Sequence, residues 1–472
     1  MTPQILNKCC AVVLATSLLT ATVVGQNKSS RPPIAVPDSF RGSDSSTPSD
    51  QSSLGDSKWF EVFKDEELQK LVRAAIVQNY DVRLAVARIN AARANVGLAR
   101  SDQFPQIVGS LDATTSRGSS NGQFGPTAGG RTRTIGNVFL NLLSFELDVW
   151  GRKRQQTKAA RAELRASEED RKAVLTTVVG DVAAGYFSLL ELDSELDIAK
   201  RTLVTREESL RLIKLRQQNG LSTALDVRQA EELVYQASKT IPDTERLIGQ
   251  TENQLSFLTG ANPGSITRGQ PLDKQETLPT VPTGLPSSLL ERRPDIRAAE
   301  ENLAARNALV SVAKKAFFPS ISLTGLLGFQ SDQLSSLFTG PSRAWTFVPQ
   351  ITQPIFTGGR LKSNLKFAKA DQEFAVVQYQ QTIQNAFREV SDALIQYRKI
   401  REVRTQQELL VATLQDRSRL AHLRYEGGVD TLLNALDSDR ELFNAEVDLT
   451  AAKRDELLSL VQLYKALGGG WQ

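Results

Sequence analysis

The chain has 472 residues, 40% of them hydrophobic and 23% charged, with a formal net charge of +4. Charge this close to balance, with no long Lys/Arg block, argues against nucleic-acid binding and for charges of both signs on solvated helix faces. Two Cys, one His and one Met cannot build a Cys/His metal cluster, and the one imidazole, His422, sits in a charged helical run with Arg417, Arg419 and Arg424, a poor setting for a nucleophilic triad.

The chain opens with the features of a secretion signal over 1–25. Lys8 supplies positive charge, Ala11–Val24 an apolar core, and Val23-Val24-Gly25 small residues at a cleavage site before Gln26. The core is too short to span a bilayer as a helix. Both Cys9 and Cys10 precede it, so cleavage would remove them. Residues 26–57 are rich in Ser, Pro, Asp and Gly and read as a flexible linker. No later stretch reaches about 18 apolar residues free of charge. Any membrane crossing would then have to be a β-barrel.

From Trp59 onward the sequence repeats itself. Asp81-Val82-Arg83 returns as Asp295-Ile296-Arg297, Phe104-Pro105 as Phe318-Pro319, and Gly151-Arg152 as Gly359-Arg360. Leu215-Arg216 with Gly220, Thr223 and Leu225 returns as Leu423-Arg424 with Gly428, Thr431 and Leu433. The unit is roughly 210 residues, far longer than a solenoid repeat, and indicates a duplicated domain. The expected halves are 58–260 and 286–472, joined by a Pro-rich connector over 261–285.

Each half reads alike. A helix of moderate length ends at Phe-Pro. A strand pair follows (106–148 and 320–356), interrupted by Gly/Ser-rich loops at Ser116–Arg133 and Ser331–Arg343. Ile107, Gly109, Leu111 and Ala113 alternate with Val108, Ser110, Asp112 and Thr114; Phe139, Leu143, Phe145 and Leu147 are expected on one face of the next run. In the second half Ile321, Leu323, Gly325, Leu327 and Phe329 alternate with smaller or polar residues, as do Trp345, Phe347, Ile351 and Ile355. Period-two segments of this length suit outer-membrane strands, although a half-buried hairpin would show the same alternation. Pro349 and Pro354 predict a strand end or bulge.

Long helical hairpins complete each half, 151–258 and 360–467. Leu175, Val179, Val182, Tyr186, Leu189 and Leu192 fall at heptad spacing, matched by Ile383, Phe387, Val390, Leu394, Tyr397 and Ile400. A helix of this length is a rod of roughly 100 Å, too long and too charged to lie in a bilayer. Four strands cannot close a barrel alone, so several chains must pool them; strand count leaves two, three or four copies open.

At this point the chain resembles the TolC-like outer-membrane factors, specifically the OprM/NodT-like efflux branch. The resemblance rests on Trp59-Phe60, Asp81-Val82-Arg83, Arg292-Arg293-Pro294-Asp295-Ile296-Arg297, Phe104-Pro105 and Phe318-Pro319. It continues through Asp148-Val149-Trp150-Gly151-Arg152, Gln353-Pro354-Ile355-Phe356, Arg424-Tyr425, Gly427-Gly428-Val429-Asp430 and the terminal Leu463-Tyr464-Lys465-Ala466-Leu467-Gly468-Gly469-Gly470-Trp471. It covers nearly all of 58–472. The implied fold is mainly α with a membrane β-barrel part: a homotrimer pooling strands into a 12-stranded barrel above a long periplasmic α-helical barrel. The implied function is the outer-membrane channel of a tripartite efflux system. Such a channel passes small molecules from an inner-membrane pump, RND type, through a periplasmic adaptor, with outer-membrane lipid around it. Many members of the branch are lipoproteins, but Cys9 and Cys10 stand before the apolar core, which argues against an anchor.

A duct of this kind needs a gate and docking tips, not a catalytic group, and no cofactor is expected. The tips are Gly220, Leu221, Ser222 and Thr223 in the first half and Gly428, Val429, Asp430 and Thr431 in the second. Gly stops each helix with positive φ, and Ser222 and Asp430 are expected to cap the next. Leu433, Asp437 and Arg440 share one helix face just inside the second tip. The resemblance makes them aperture residues; an ordinary exposed ion pair would show the same spacing. The first-half counterparts are Leu225, Gln229 and Glu232, so the ion pair is not duplicated. The competing readings are a duct for type I protein secretion, a secreted coiled-coil scaffold and a periplasmic adaptor.

Overall fold

The structure, a computed structural model, describes residues 36–37, 39–42, 53–117, 132–275, 281 and 284–471. The expected signal peptide and the two cysteines lie outside the described residues, as do most of the 26–57 linker and residues 118–131 of the first strand loop. The first half runs α1 (Trp59–Val62), α2 (Glu66–Gln78), α3 (Tyr80–Ser101), β1 (Ile107–Arg117), β2 (Thr132–Leu147), α4 (Arg152–Gln218) and α5 (Ala224–Leu258). The second runs α6 (Pro286–Arg292), α7 (Pro294–Lys315), β3 (Ser320–Ser331), β4 (Arg343–Thr352), α8 (Arg360–Glu426) and α9 (Leu432–Ala466). The arms match in length: α4 and α8 have 67 residues each, α5 and α9 35 each.

The strands form one antiparallel sheet in the order β1-β2-β3-β4, so each half supplies a hairpin to a shared surface. Its register aligns Leu140 with Leu327 and Leu327 with Trp345; Leu142 aligns with Gly325 and Gly325 with Phe347. On this face Ile107, Leu111, Leu140, Leu327, Trp345, Phe347 and Ile351 are between 56% and 79% exposed. A contiguous apolar face of this kind requires something apolar against it. The opposite face is polar: Asn137 donates to Asp112 at 2.7 Å and accepts from Gln330 at 2.9 Å, and Asn141 donates to Ser110 at 2.8 Å.

Three expectations for the strands are corrected. Phe139 does not share a face with Phe145 and Leu147, because the register slips between Leu142 and Phe145. The extra residue turns the strand over, and Phe139 faces the polar side, where its ring covers Gly328; a Cβ there would meet that ring at 2.7 Å. Pro349 neither ends nor bulges its strand. It pairs with Leu323 within β4, which bounds the sheet and so tolerates a missing donor. Ile355 lies beyond the end of β4 and is 95% exposed.

Strands pass into long helices through left-handed glycines, Gly151 at φ 73° and Gly359 at φ 84°. Asp148 accepts the N–H groups of Lys153 and Arg154, each at 2.9 Å, supplying the cap that Gly151 cannot. Trp150 donates its indole N–H to the Pro319 carbonyl at 2.7 Å and stacks on Phe318 at 5.2 Å. The Asp-Val-Trp-Gly-Arg segment of one half thus docks on the Phe-Pro segment of the other.

The heptad positions are the core. Leu175, Val179, Val182, Tyr186, Leu189 and Leu192 are all buried, as are Ile383, Val390, Leu394 and Tyr397; Phe387 and Ile400 are half-buried. One window of α4 is long and apolar enough to cross a membrane by length and composition, although Asp181 interrupts it, and 61% of it is buried inside the protomer. Its apolar length is the seam of a packed hairpin. Asp65 caps α2 by accepting the Glu67 and Leu68 N–H groups. The same carboxylate accepts from Tyr186 Oη at 3.2 Å, the Gln270 N–H at 2.9 Å and Gln275 Nε2 at 2.9 Å, while Gly269 N–H donates to Tyr186 Oη at 2.8 Å. Burial alone would raise the Asp65 pKa. The hydrogen bonds from Gln275, Leu68, Gln270 and Tyr186 outweigh it and hold the carboxyl below its ordinary value. Gly269 is required by closeness, since a Cβ would collide with the Asp65 carboxylate.

This network ties the connector to α4 and to the N-terminus of α2. Tyr186→Phe leaves the buried carboxylate one donor short, and is expected to lower unfolding free energy by about 1–3 kcal/mol. Chemical denaturation of the purified protein checks this; an unchanged midpoint would show that the network does not stabilise the fold.

Candidate functional site

The distal ends of the four long helices carry the expected site. α4 ends in two reciprocal turn hydrogen bonds, Leu221 N–H to the Arg216 carbonyl at 2.8 Å and Gly220 N–H to the Gln217 carbonyl at 3.0 Å. α8 ends in the same way, through Val429 to Arg424 and Gly428 to Tyr425, each at 3.0 Å. Both turns place glycine at positive φ, 74° at Gly220 and 72° at Gly428, with nothing near enough to obstruct a Cβ. Glycine is needed there for its backbone freedom and not for space.

The caps differ from expectation. Thr223, not Ser222, caps α5: its hydroxyl accepts the Asp226 N–H at 3.1 Å, and Asp226 returns a bond to the Thr223 N–H at 2.7 Å. A reciprocal box satisfies two orphan amides, which Ser222 one residue earlier cannot. Thr431 occupies the cap position of α9 without a side-chain bond. Asp430 instead organises the turn, accepting from the Thr431 N–H at 2.8 Å, Asn434 Nδ2 at 2.6 Å and Arg424 Nε at 3.1 Å. Those three donors, the Thr431 amide first, hold its carboxyl below the usual range.

The two tips project matching apolar side chains. Leu221 and Val429 are exposed, and so are Leu225 and Leu433 one turn further on. Beneath them Ile213, Val227, Ala230, Leu233, Leu432 and Leu436 form a buried cluster with Leu210 and Tyr425 packed against it. Arg216 lies over the Tyr425 ring at 4.8 Å. Within the protomer the two tips therefore stand side by side on a shared core.

Leu433, Asp437 and Arg440 keep to the outer side of α9. Leu433 is exposed, and Asp437 and Arg440 are partly so. In the protomer Asp437 pairs with Arg440 on its own helix, and Arg417 of α8 reaches the other Asp437 oxygen at 3.5 Å. Arg417 also pairs with Glu441 at 2.5 Å. Among the described residues the first half carries no equivalent: Glu232 accepts from Gln236 at 3.0 Å, and its neighbour Glu231 pairs with Lys214 and Arg228. Reading α9 alone cannot find Arg417. Counting outward from the turn does, since Arg417 and Asp439 stand equally far from Gly428.

His422 is half-buried against α9. Its Nε2 lies 2.8 Å from Asp439 Oδ2, and Ser418 Oγ donates to Asp439 Oδ1 at 2.6 Å. Hydroxyl and imidazole both engage the carboxylate, whereas a nucleophilic relay would place the imidazole between the other two.

The family model described as outer membrane efflux protein matches residues 71–261 and 285–469. The toluene efflux pump outer membrane protein TtgC of Pseudomonas putida is 37% identical over 433 residues, covering 90% of this chain and 88% of that protein. Outer membrane protein OprJ of Pseudomonas aeruginosa is 38% identical over 445 residues, covering 93% and 91%. The open-state MtrE outer membrane channel of Neisseria gonorrhoeae superposes with a TM-score of 0.84 at 32% identity, covering 94% of this chain and 97% of that one. The chain belongs to the outer membrane efflux protein family and is an outer-membrane efflux channel protein, its long helices forming the periplasmic extension.

Proposed function

We propose that three copies of this chain close a 12-stranded barrel and that their helices continue the pore towards an inner-membrane pump. In this reading the halves 58–260 and 286–472 are the two repeats, joined by the 261–285 connector. The observation that carries the proposal is the four-stranded sheet. One face is apolar and exposed, the other polar, and β1 and β4 each pair on one side only within the described sheet. In lipid such an edge is intolerable, so the edges must meet those of other copies.

The partners follow from the tips. Six apolar-tipped turns at the open end of the helical cylinder suit a periplasmic adaptor, with the pump, RND type, behind it. Gly220, Leu221, Ser222 and Thr223 form one contact and Gly428, Val429, Asp430 and Thr431 the other. The cargo class is small molecules, since the relative TtgC is named for toluene efflux.

The aperture is assigned to Leu433, Asp437 and Arg440. Leu433 supplies apolar bulk, and the charged pair one turn on holds the helix face rigid. Half-exposed pairs of this type contribute about 0.3–0.5 kcal/mol each, so adaptor binding is strong enough to rearrange them by a shift of helix packing.

Reconstituted protein should show discrete, stable single-channel conductance from a species whose native mass equals three protomers; a soluble, non-conducting species would refute the barrel. Replacing Asp437 and Arg440 together by Ala should raise that conductance, and an unchanged value would remove the aperture from these residues. Leu221→Glu with Val429→Glu should abolish efflux-dependent drug tolerance while barrel insertion, followed by heat-modifiable migration on a gel, stays normal. Undiminished tolerance would place the adaptor contact elsewhere.

A further inference from the structure

The aperture helix α9 is held to α8 by a short lattice of cross-hairpin contacts. Arg417 reaches Asp437 and Glu441, and His422 and Ser418 both reach Asp439. Asp439 lies between Asp437 and Arg440 in the chain, so whatever fixes it fixes the turn of helix carrying both aperture charges. His422 is the only histidine in the sequence. Of the lattice contacts, only its charge changes near neutral pH.

We propose that His422 is a positioning residue for the aperture, a proton-operated brace that clamps α8 to α9 through Asp439 in mildly acidic surroundings and loosens as the pH rises. This deepens the aperture reading given above and rests on it.

The geometry supports the brace from each side. The imidazole and the carboxylate approach at 2.8 Å, across helices whose separation is set by packing at the Val411, Leu414 and Ala445 cluster above and the Leu432 and Leu436 cluster below. The charged groups facing the pair are few. Glu426 lies one turn along α8 and favours the imidazolium. From α4, Arg206 faces Asp439 electrostatically and sits over Phe443 of α9 at 5.0 Å. Arg201 and Glu446 line the same groove. The Ser418 hydroxyl occupies the other carboxylate oxygen, so Asp439 is oriented before the proton arrives.

The direction of the effect follows from linkage. The hydrogen bond to Asp439 comes first among the influences that raise the His422 pKa above its ordinary value of 6.5. The charged pair is therefore complete below that ordinary value and is lost as the pH climbs through the raised one. Acidic conditions strengthen the brace and resist opening; alkaline conditions release it. The titrating contact is absent from the first hairpin, where the duplicated sequence has Lys214 at the position equivalent to His422 and pairs it with Glu231 at 3.0 Å.

Two measurements on the full-length reconstituted trimer test this. Single-channel open probability is recorded at pH 6 and pH 8 for the native protein, for His422→Gln and for Asp439→Asn. The native channel should open about five- to thirteenfold less often at pH 6, the size expected of three half-exposed ion pairs. His422→Gln keeps a hydrogen-bonding group without a titrating charge, and should open equally at both pH values. In parallel, carbon-13 labelling of histidine makes the His422 titration directly visible, since the chain has no other. The native imidazole should titrate above the ordinary range, and Asp439→Asn should return it there.

A native imidazole that titrates in the ordinary range overturns the pair itself. A raised titration with pH-independent opening, or a His422→Gln channel that retains the native pH response, overturns its role at the aperture. Failure of the aperture assignment is read separately, from the conductance of the Asp437→Ala, Arg440→Ala channel at one pH.

Discussion

Everything in this protein follows from edges that lipid will not accept. A four-stranded sheet leaves one row of backbone N–H and C=O groups open on each outer strand, and hydrocarbon offers no partner for them. The apolar exposure of Leu111, Leu327, Trp345 and Ile351 shows which face must meet lipid, and so which edges must be closed by other copies. Closure of the strands then brings the helices round a common axis. A pore through the helical part is a consequence of solving the hydrogen-bonding problem in the sheet.

The sequence showed the parts whose physics is periodic or local. Heptad spacing placed Tyr186 and Ile383 in the core correctly, because a seam of this length must be apolar along its whole run. Gly220 and Gly428 announced the turns, because no other residue enters positive φ at so little cost. Alternation marked β1 and β3 and nearly all of β4. What stayed hidden depended on partners distant in the chain. The slip at Leu142 is an event between two strands; it sets Phe139 on the polar face, where Gly328 opposite leaves room for its ring. Pro349 would break a central strand, whereas β4 bounds the sheet. The caps moved by one residue because Thr223 finds a reciprocal partner in Asp226, a choice between neighbouring hydroxyls that spacing alone does not make. The contacts of Arg417 with α9 require the hairpin register, which the turn glycine supplies once it is used as an origin for counting; that of His422 with Asp439 departs from the count and shows only in the folded hairpin.

The halves have diverged unequally. Their framework is duplicated down to the left-handed glycines at the start and end of the long helices. Their polar surfaces near the tips are not. The second hairpin carries a lattice of Arg417, His422, Asp437, Asp439, Arg440 and Glu441, while the first carries Lys214 and Arg228 around the one carboxylate of Glu231. In a ring of alternating hairpins, one type would then serve as fixed wall and the other as the moving element.

The equal lengths of the arms carry a constraint of their own. With 67 residues descending and 35 returning in both halves, the two tips come to rest at one level, as the legs of a table do. An inserted residue in either descending arm would lower its tip by about 1.5 Å and swing every side chain beyond it by about 100°. The apolar stripe would then leave its seam. Composition on the exposed faces of these helices is therefore free to drift, one side chain at a time, while their length is not. A change of length that keeps the seam and the common level of the tips must preserve the helical phase and be made in both halves together.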